Sequence, residues 1–221
     1  VLAVLAYFIT TDRGEKTATY KLEKQLFEVD SALIDKLEIE QNGKKVTLVK
    51  SGVEWRLSQP VDYSAYPQFV AAALSDLKKY KLESKVSDNP SNKDRFGFND
   101  TNLVKVTVYQ GQNLMGTMII GHAANGPSQT FIKSPESNEI FLANDFLRSN
   151  FAKESIYDDW RDKLILSISK ASITSIDFMS QSENYSIARD SAGTYRSGKD
   201  SLNTQVVDGV FSMLQNFNTQ G

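Results

Sequence analysis

A strand, strand, aromatic, helix pattern occurs twice in this chain, and self-similarity at a fixed spacing constrains architecture before any single motif does. Ile34, Leu37, Ile39, Val46, Leu48, Lys50 and Trp55 lead into an apolar helical stretch ending at Leu77. Ile173, Ile176, Phe178, Tyr185, Ile187, Arg189 and Tyr195 lead into a similar stretch ending at Leu214. The offset is 139 at Ile34 and Ile173, 140 at Trp55 and Tyr195, and 137 at Leu77 and Leu214. The small insertions therefore fall in turns, which absorb them at little cost. The shared positions are apolar or aromatic, as a small antiparallel sheet covered on one face by a helix requires. The pattern predicts an α+β protein of two related β-β-β-α modules, residues 29–100 and 166–221, joined by a central β-meander and junction at 101–165.

Within the first copy, Leu37, Ile39, Val46 and Leu48 keep the period-two spacing of strands, and Asn42-Gly43 between them is the turn signal of a two-residue hairpin. Trp55 and Leu57 predict a third strand that ends at Pro60, which has no amide proton for the ladder. Phe69, Val70, Ala73, Leu74 and Leu77 predict a helix from Tyr66 to Tyr80, with Pro67 near its start and Lys78, Lys79 and Lys81 at its end. Val86 to Asn102 reads as loop. Val104 to Val108, Met115 to Ile120, Thr130 to Lys133 and Ile140 to Leu142 make the meander, and Asn144 or Asp145 is placed to cap a short helix through Phe151.

Val1 to Ile9 is wholly apolar and too short to span a membrane, which takes about 20 apolar residues. Tyr7 and Phe8 stand where aromatic side chains favour the interface, so residues 1–28 are expected to be a truncated N-terminal anchor or uncleaved signal, with a buried first strand or helix turn as the alternative, followed from Thr10 to Glu28 by a solvated polar tether or a marginal first helix. The chain ends directly after the second helical stretch, and truncation is expected there too.

Composition excludes several classes of chemistry. Absence of cysteine removes disulfides, thiolate metal sites and cysteine nucleophiles, and a single histidine leaves a histidine-rich zinc or iron site short of ligands. A net charge of -2 gives no general attraction to nucleic acid. No cofactor is expected.

The polar candidates are few. His122 lies in Gly121-His122-Ala123-Ala124-Asn125-Gly126, where a phosphate cradle or general base would be sought, yet the spacing fits neither the P-loop nor the dinucleotide fingerprint. A flexible turn with an exposed imidazole is the structural reading. Asp158, Asp159 and Asp162 cluster beside Trp160 and Arg161, a set that suggests paired carboxylates for acid and base work on a glycoside. Such chemistry needs two carboxylates facing each other at a defined separation, which a local acidic cluster does not predict. Pairing of Arg161 or Lys163 with an acidic neighbour is the structural reading.

Trp55-Arg56-Leu57 then Pro60, the helix to Leu77, Arg95-Phe96-Gly97-Phe98 with Asp100, Ile119-Ile120-Gly121, Thr130-Phe131-Ile132 and Trp160-Arg161-Asp162-Lys163-Leu164 together resemble the bacterial family catalogued as domain of unknown function 4340. The resemblance runs from about Leu33 to Gly221. Phe96-Gly97-Phe98 replaces the family's more usual Tyr-Gly-Leu. The resemblance implies an N-terminal membrane anchor, an extracytoplasmic body at the bacterial inner or cytoplasmic membrane, and membrane-transport subunits of ABC type, as in gliding-motility systems, for partners. It supplies no catalytic residues. A non-enzymatic accessory domain is the expectation, with a glycan- or peptide-acting enzyme and a polysaccharide- or lipid-binding module as the alternatives.

Overall fold

Alternation places Leu37 and Ile39 on the same face of a strand, and both are fully buried in the computed structural model, which describes Leu22 and residues 24–101, 103–215 and 217–219. The apolar run at Val1 to Ile9 and the tether up to residue 21 lie outside the described residues. Among those described, no helix is long and apolar enough to cross a membrane. The chain divides between Arg161 and Asp162 into two compact units.

In the first unit, β1 (Lys36–Gln41) and β2 (Lys44–Ser51) form the expected hairpin, with Gln41 opposite Lys44. Asn42 and Gly43 between them take φ of 52° and 70°, the doubly left-handed turn whose twist matches that of paired strands. Strand β3 (Glu54–Gln59) follows and stops before Pro60, and β4 (Tyr63–Ser64) closes that edge of the sheet. Helix α1 (Pro67–Lys79) starts on Pro67 and ends on Lys78 and Lys79, burying Val70, Ala73 and Leu77 at helical spacing.

The remaining strands are β5 (Leu82–Ser87), β6 (Val104–Gln110), β7 (Asn113–Ala123), β8 (Gln129–Lys133) and β9 (Ile140–Asn144). The meander does not stand between two sheets. Strand β6 pairs with the free edge of β1, setting Val108 opposite Leu37 and Val106 opposite Ile39, so one antiparallel sheet runs β4-β3-β2-β1-β6-β7-β8-β9-β5. Strand β5 overlaps the stretch expected as loop. Its pairing with β9 breaks register twice, between Leu82 and Ser84 and between Lys85 and Ser87, which erases the period-two signal. Short helices α2 (Leu147–Phe151) and α3 (Ile156–Asp159) complete the unit. Neither expected cap serves α2, whose N-cap is Phe146 with no side-chain bond. Asn144 Oδ1 instead accepts from the Lys81 amide at 2.6 Å, extending the β5 to β9 ladder.

The end of the expected tether is docked on the body. The Lys24 carbonyl accepts from the Leu82 amide at 2.7 Å. Gln25 Nε2 donates to the carbonyls of Leu77, Lys78 and Tyr80, two of which belong to the last turn of α1, where helix carbonyls lack intrahelical partners. The Tyr80 hydroxyl accepts from the Leu26 amide at 3.0 Å and donates to the Phe27 carbonyl at 3.3 Å. A Cβ on Gly116 would stand 2.2 Å from the Phe27 ring, so glycine is what lets that ring lie on β7. Burial pushes the Tyr80 phenol up to about 12, which keeps it neutral and able to donate. Tyr80→Phe is expected to cost about 1–3 kcal/mol, because it strands a part-buried amide and carbonyl. Urea midpoints should fall with an unchanged slope, and the chain near Leu26 should be cut sooner by protease. An unaltered midpoint would show that the hydroxyl does not hold the segment.

The second unit has β11 (Ser175–Met179), β12 (Asn184–Arg189), β13 (Tyr195–Ser197) and β14 (Asp200–Ser201) in one antiparallel sheet, then α4 (Thr204–Gln215). A two-stranded sheet pairs β10 (Leu164–Leu166) with β15 (Phe217–Asn218). Its small core is Ile173, Val207 and Phe211, with Tyr195 4.7 Å from the Phe211 ring and its hydroxyl donating to the Ile173 carbonyl. Three strands, a two-residue strand and a helix thus follow one another in both units.

Candidate functional site

Ser155 organises the acidic cluster. It precedes α3, its amide donates to Asp159 Oδ2 at 3.0 Å, and its hydroxyl donates to Asp158 Oδ2 at 2.7 Å. Carboxylates in a first helical turn that accept from the residue before it stabilise the helix start. Asp158 Oδ1 also pairs with Arg161. Asp162 falls in the second unit, where its Oδ1 accepts from the Leu164 amide at 3.0 Å. Asp158 and Asp159 therefore share one turn and one partner residue, each taking a different Ser155 donor, instead of facing each other across a gap.

His122 lies on β7, half-buried, and not in an exposed turn. Gly97, at φ 81°, covers it so closely that a Cβ there would meet His122 Cδ2 at 2.4 Å and its backbone nitrogen at 2.7 Å. A Cβ on Gly121 would meet the Phe96 carbonyl oxygen at 2.2 Å. Phe96 in turn packs edge-on against Phe131 at 4.7 Å. The Arg95-Phe96-Gly97-Phe98 turn is thus seated on the Gly121-His122 strand, and the two glycines permit backbone contact that a side chain would prevent.

Sequence reasoning missed a second polar group. Asp76, on the buried stripe of α1, is 4 % exposed, and its Oδ2 accepts from Asn150 Nδ2 on α2 at 2.7 Å. Burial pushes its carboxyl up to about 6, against the Asn150 hydrogen bond and with the help of the Asp145 carboxylate. Lys153 sits with its ammonium 3.8 Å from the centre of the Phe69 ring and 5.2 Å from that of Trp160, and burial lowers its pKa. Its backbone exchanges hydrogen bonds with the Gln41 side chain in both directions at 2.9 Å. The Asp76 carboxyl can take up or release a proton between mildly acidic and neutral pH. The available signal was one charged residue, Asp76, between Ala73 and Leu77 on an otherwise apolar stripe. Among the described residues, no three acidic or histidine side chains gather as a metal cage.

Fold and polar groups together define an α+β protein of antiparallel sheets in which the acidic cluster braces a helix start. The family described as domain of unknown function 4340 matches residues 55–221, and the chain belongs to that family. No curated protein and no solved structure matches it.

Proposed function

We propose that the chain is a non-enzymatic, membrane-tethered, extracytoplasmic accessory domain of an ABC-type export or gliding-related assembly, and that its two units descend from one duplicated β-β-β-α module. The observation that carries the non-enzymatic reading is the geometry of Asp158 and Asp159, which brace the Ser155 turn and Arg161. Tethering is supported by the apolar run at Val1 to Ile9 and by the docking of Lys24 to Phe27 on the body. Duplication is supported by the common order of elements in the two units. Expression of the full-length gene product with an affinity tag, followed by fractionation and capture from detergent-solubilised membranes, tests the assignment. Recovery in the membrane fraction together with transporter subunits is the expected result, and recovery as free cytoplasmic protein would overturn it.

A polysaccharide-binding module is the second reading, favoured by Phe178 and Tyr185. Their rings stack across β11 and β12 at 4.6 Å and 14°, and Tyr185 is 51 % exposed. Complete burial of Trp160 argues against that tryptophan as a stacking platform.

A further inference from the structure

The second unit contains a groove of about 580 Å³, between the turn Lys170–Ser172, the hairpin of β12 and β13, and the first turn of α4. That volume lies within the range of roughly 300–1,000 Å³ typical of small-ligand sites. Its floor is apolar, formed by buried Val207 and half-buried Leu202 and Tyr195. The Tyr195 hydroxyl is held by the Ile173 carbonyl, which leaves the ring as this residue's part of the lining.

The rim is polar and carries one excess positive charge. Lys170 and Asp208 line it as an ion pair with each other. Arg189 lines it as well, its guanidinium carbon 5.9 Å from the centre of the Tyr195 ring, and that guanidinium has no hydrogen-bond or ion-pair partner among the described residues. The adjacent carboxylate of Asp190 is engaged elsewhere, accepting from Arg196 at 2.8 Å and from the Thr194 amide at 2.9 Å. Gly193, at φ 84°, turns the chain beside Arg189, where even a Cβ would make no more than ordinary contact with Nη2, at 3.5 Å. Ser169, Thr194 and Thr204 also line it.

A guanidinium without a carboxylate, beside a ring and above an apolar floor, suits an anionic head that offers two acceptor oxygens and is carried by a compact body. We propose that this groove binds a small organic anion, with a carboxylate or phosphate head on Arg189 and a ring-sized body over Tyr195 and Leu202. The threonine and serine hydroxyls supply hydrogen bonds to polar substituents of that body. The site lies within the second unit and does not depend on tethering or on the transporter assignment.

Glucuronate, glucose 1-phosphate and uncharged glucose, each titrated by calorimetry onto the full chain, test the proposal. At least one anion should bind about tenfold or more tightly than glucose. Arg189→Ala should bring that anion down to the level of glucose, while Arg189→Lys retains part of the preference. The tighter of the two anions identifies the head. Added salt applied to the unaltered chain gives a check that needs no variant, because the anion's affinity should fall and that of glucose should not. Failure of both anions to bind, equal binding of glucose, an unchanged affinity in folded Arg189→Ala, or indifference to salt would each overturn the proposal.

Discussion

Trp160→Ala is expected to lower the unfolding free energy of the first unit by about 3–5 kcal/mol, the range for removing a large aromatic from a packed core. Trp160 is fully buried and stands 6.2 Å from Phe69 edge-on and 6.5 Å from Phe151. Its carbonyl accepts from the Tyr66 amide at 2.9 Å, and Arg161 bridges to Ala65, so this stretch holds the approach to α1 against the last turn of the unit. The indole nitrogen is buried with no hydrogen-bond partner among the described residues. An unpartnered buried donor is itself unfavourable by about 1–3 kcal/mol. Trp160→Phe should therefore cost far less than the alanine variant, since it removes that donor while keeping an aromatic ring. Urea denaturation of the three chains gives the comparison, and an alanine variant within about 1 kcal/mol of the parent would show that the surrounding rings collapse into the space.

Asp76→Asn is expected to stabilise the chain near neutral pH and to lose that advantage in acid. The folded carboxyl titrates at about 6, above its ordinary 3.8, chiefly because it is buried. The folded state thus holds a proton that the unfolded state has released, and stability from this group is greatest below about pH 4 and declines as pH rises through about 6. A shift of that size corresponds to about 3 kcal/mol, lost between those limits. Asparagine keeps an acceptor for Asn150, adds a donor toward Asp145, and carries no charge to desolvate. The difference between variant and parent should grow from near zero at about pH 4 to its full value above about pH 7. A variant less stable than the parent at neutral pH would mean that Lys79 or Lys153, the neighbouring cations, compensates the charge of Asp76 in full.

The first hairpin was legible because two signals coincide there, period-two spacing through Leu37, Ile39, Val46 and Leu48 and an Asn42-Gly43 turn with only one good conformation. Helix α1 was legible for the same reason, with Pro67 fixing its start and the buried stripe its face. Partnership across β1 was not. A strand with both edges paired reads like one with a free edge, since alternation reports which face is buried and not which strand lies beside it. Strand β5 was hidden by its own bulges. Docking of Gln25, Leu26 and Phe27 left no pattern in the sequence, because their main partners are backbone carbonyls and one tyrosine hydroxyl. His122 stood out as a singular residue, but its seat beneath Gly97 depends on a contact between strand and turn that spacing along the chain does not encode.

The docking of Lys24 to Phe27 also sets a length scale. Under the proposed tethering, with the apolar run through Ile9 seated in a bilayer, the leash would be residues 10–21, since Leu22 already packs against the core. At about 3.5 Å per residue they would extend no further than about 42 Å. A body held that short would have a high effective concentration toward any subunit rising from the same patch of membrane and a negligible one toward anything beyond it. Lengthening the leash, with no change to the folded surface, would then weaken recruitment by dilution alone.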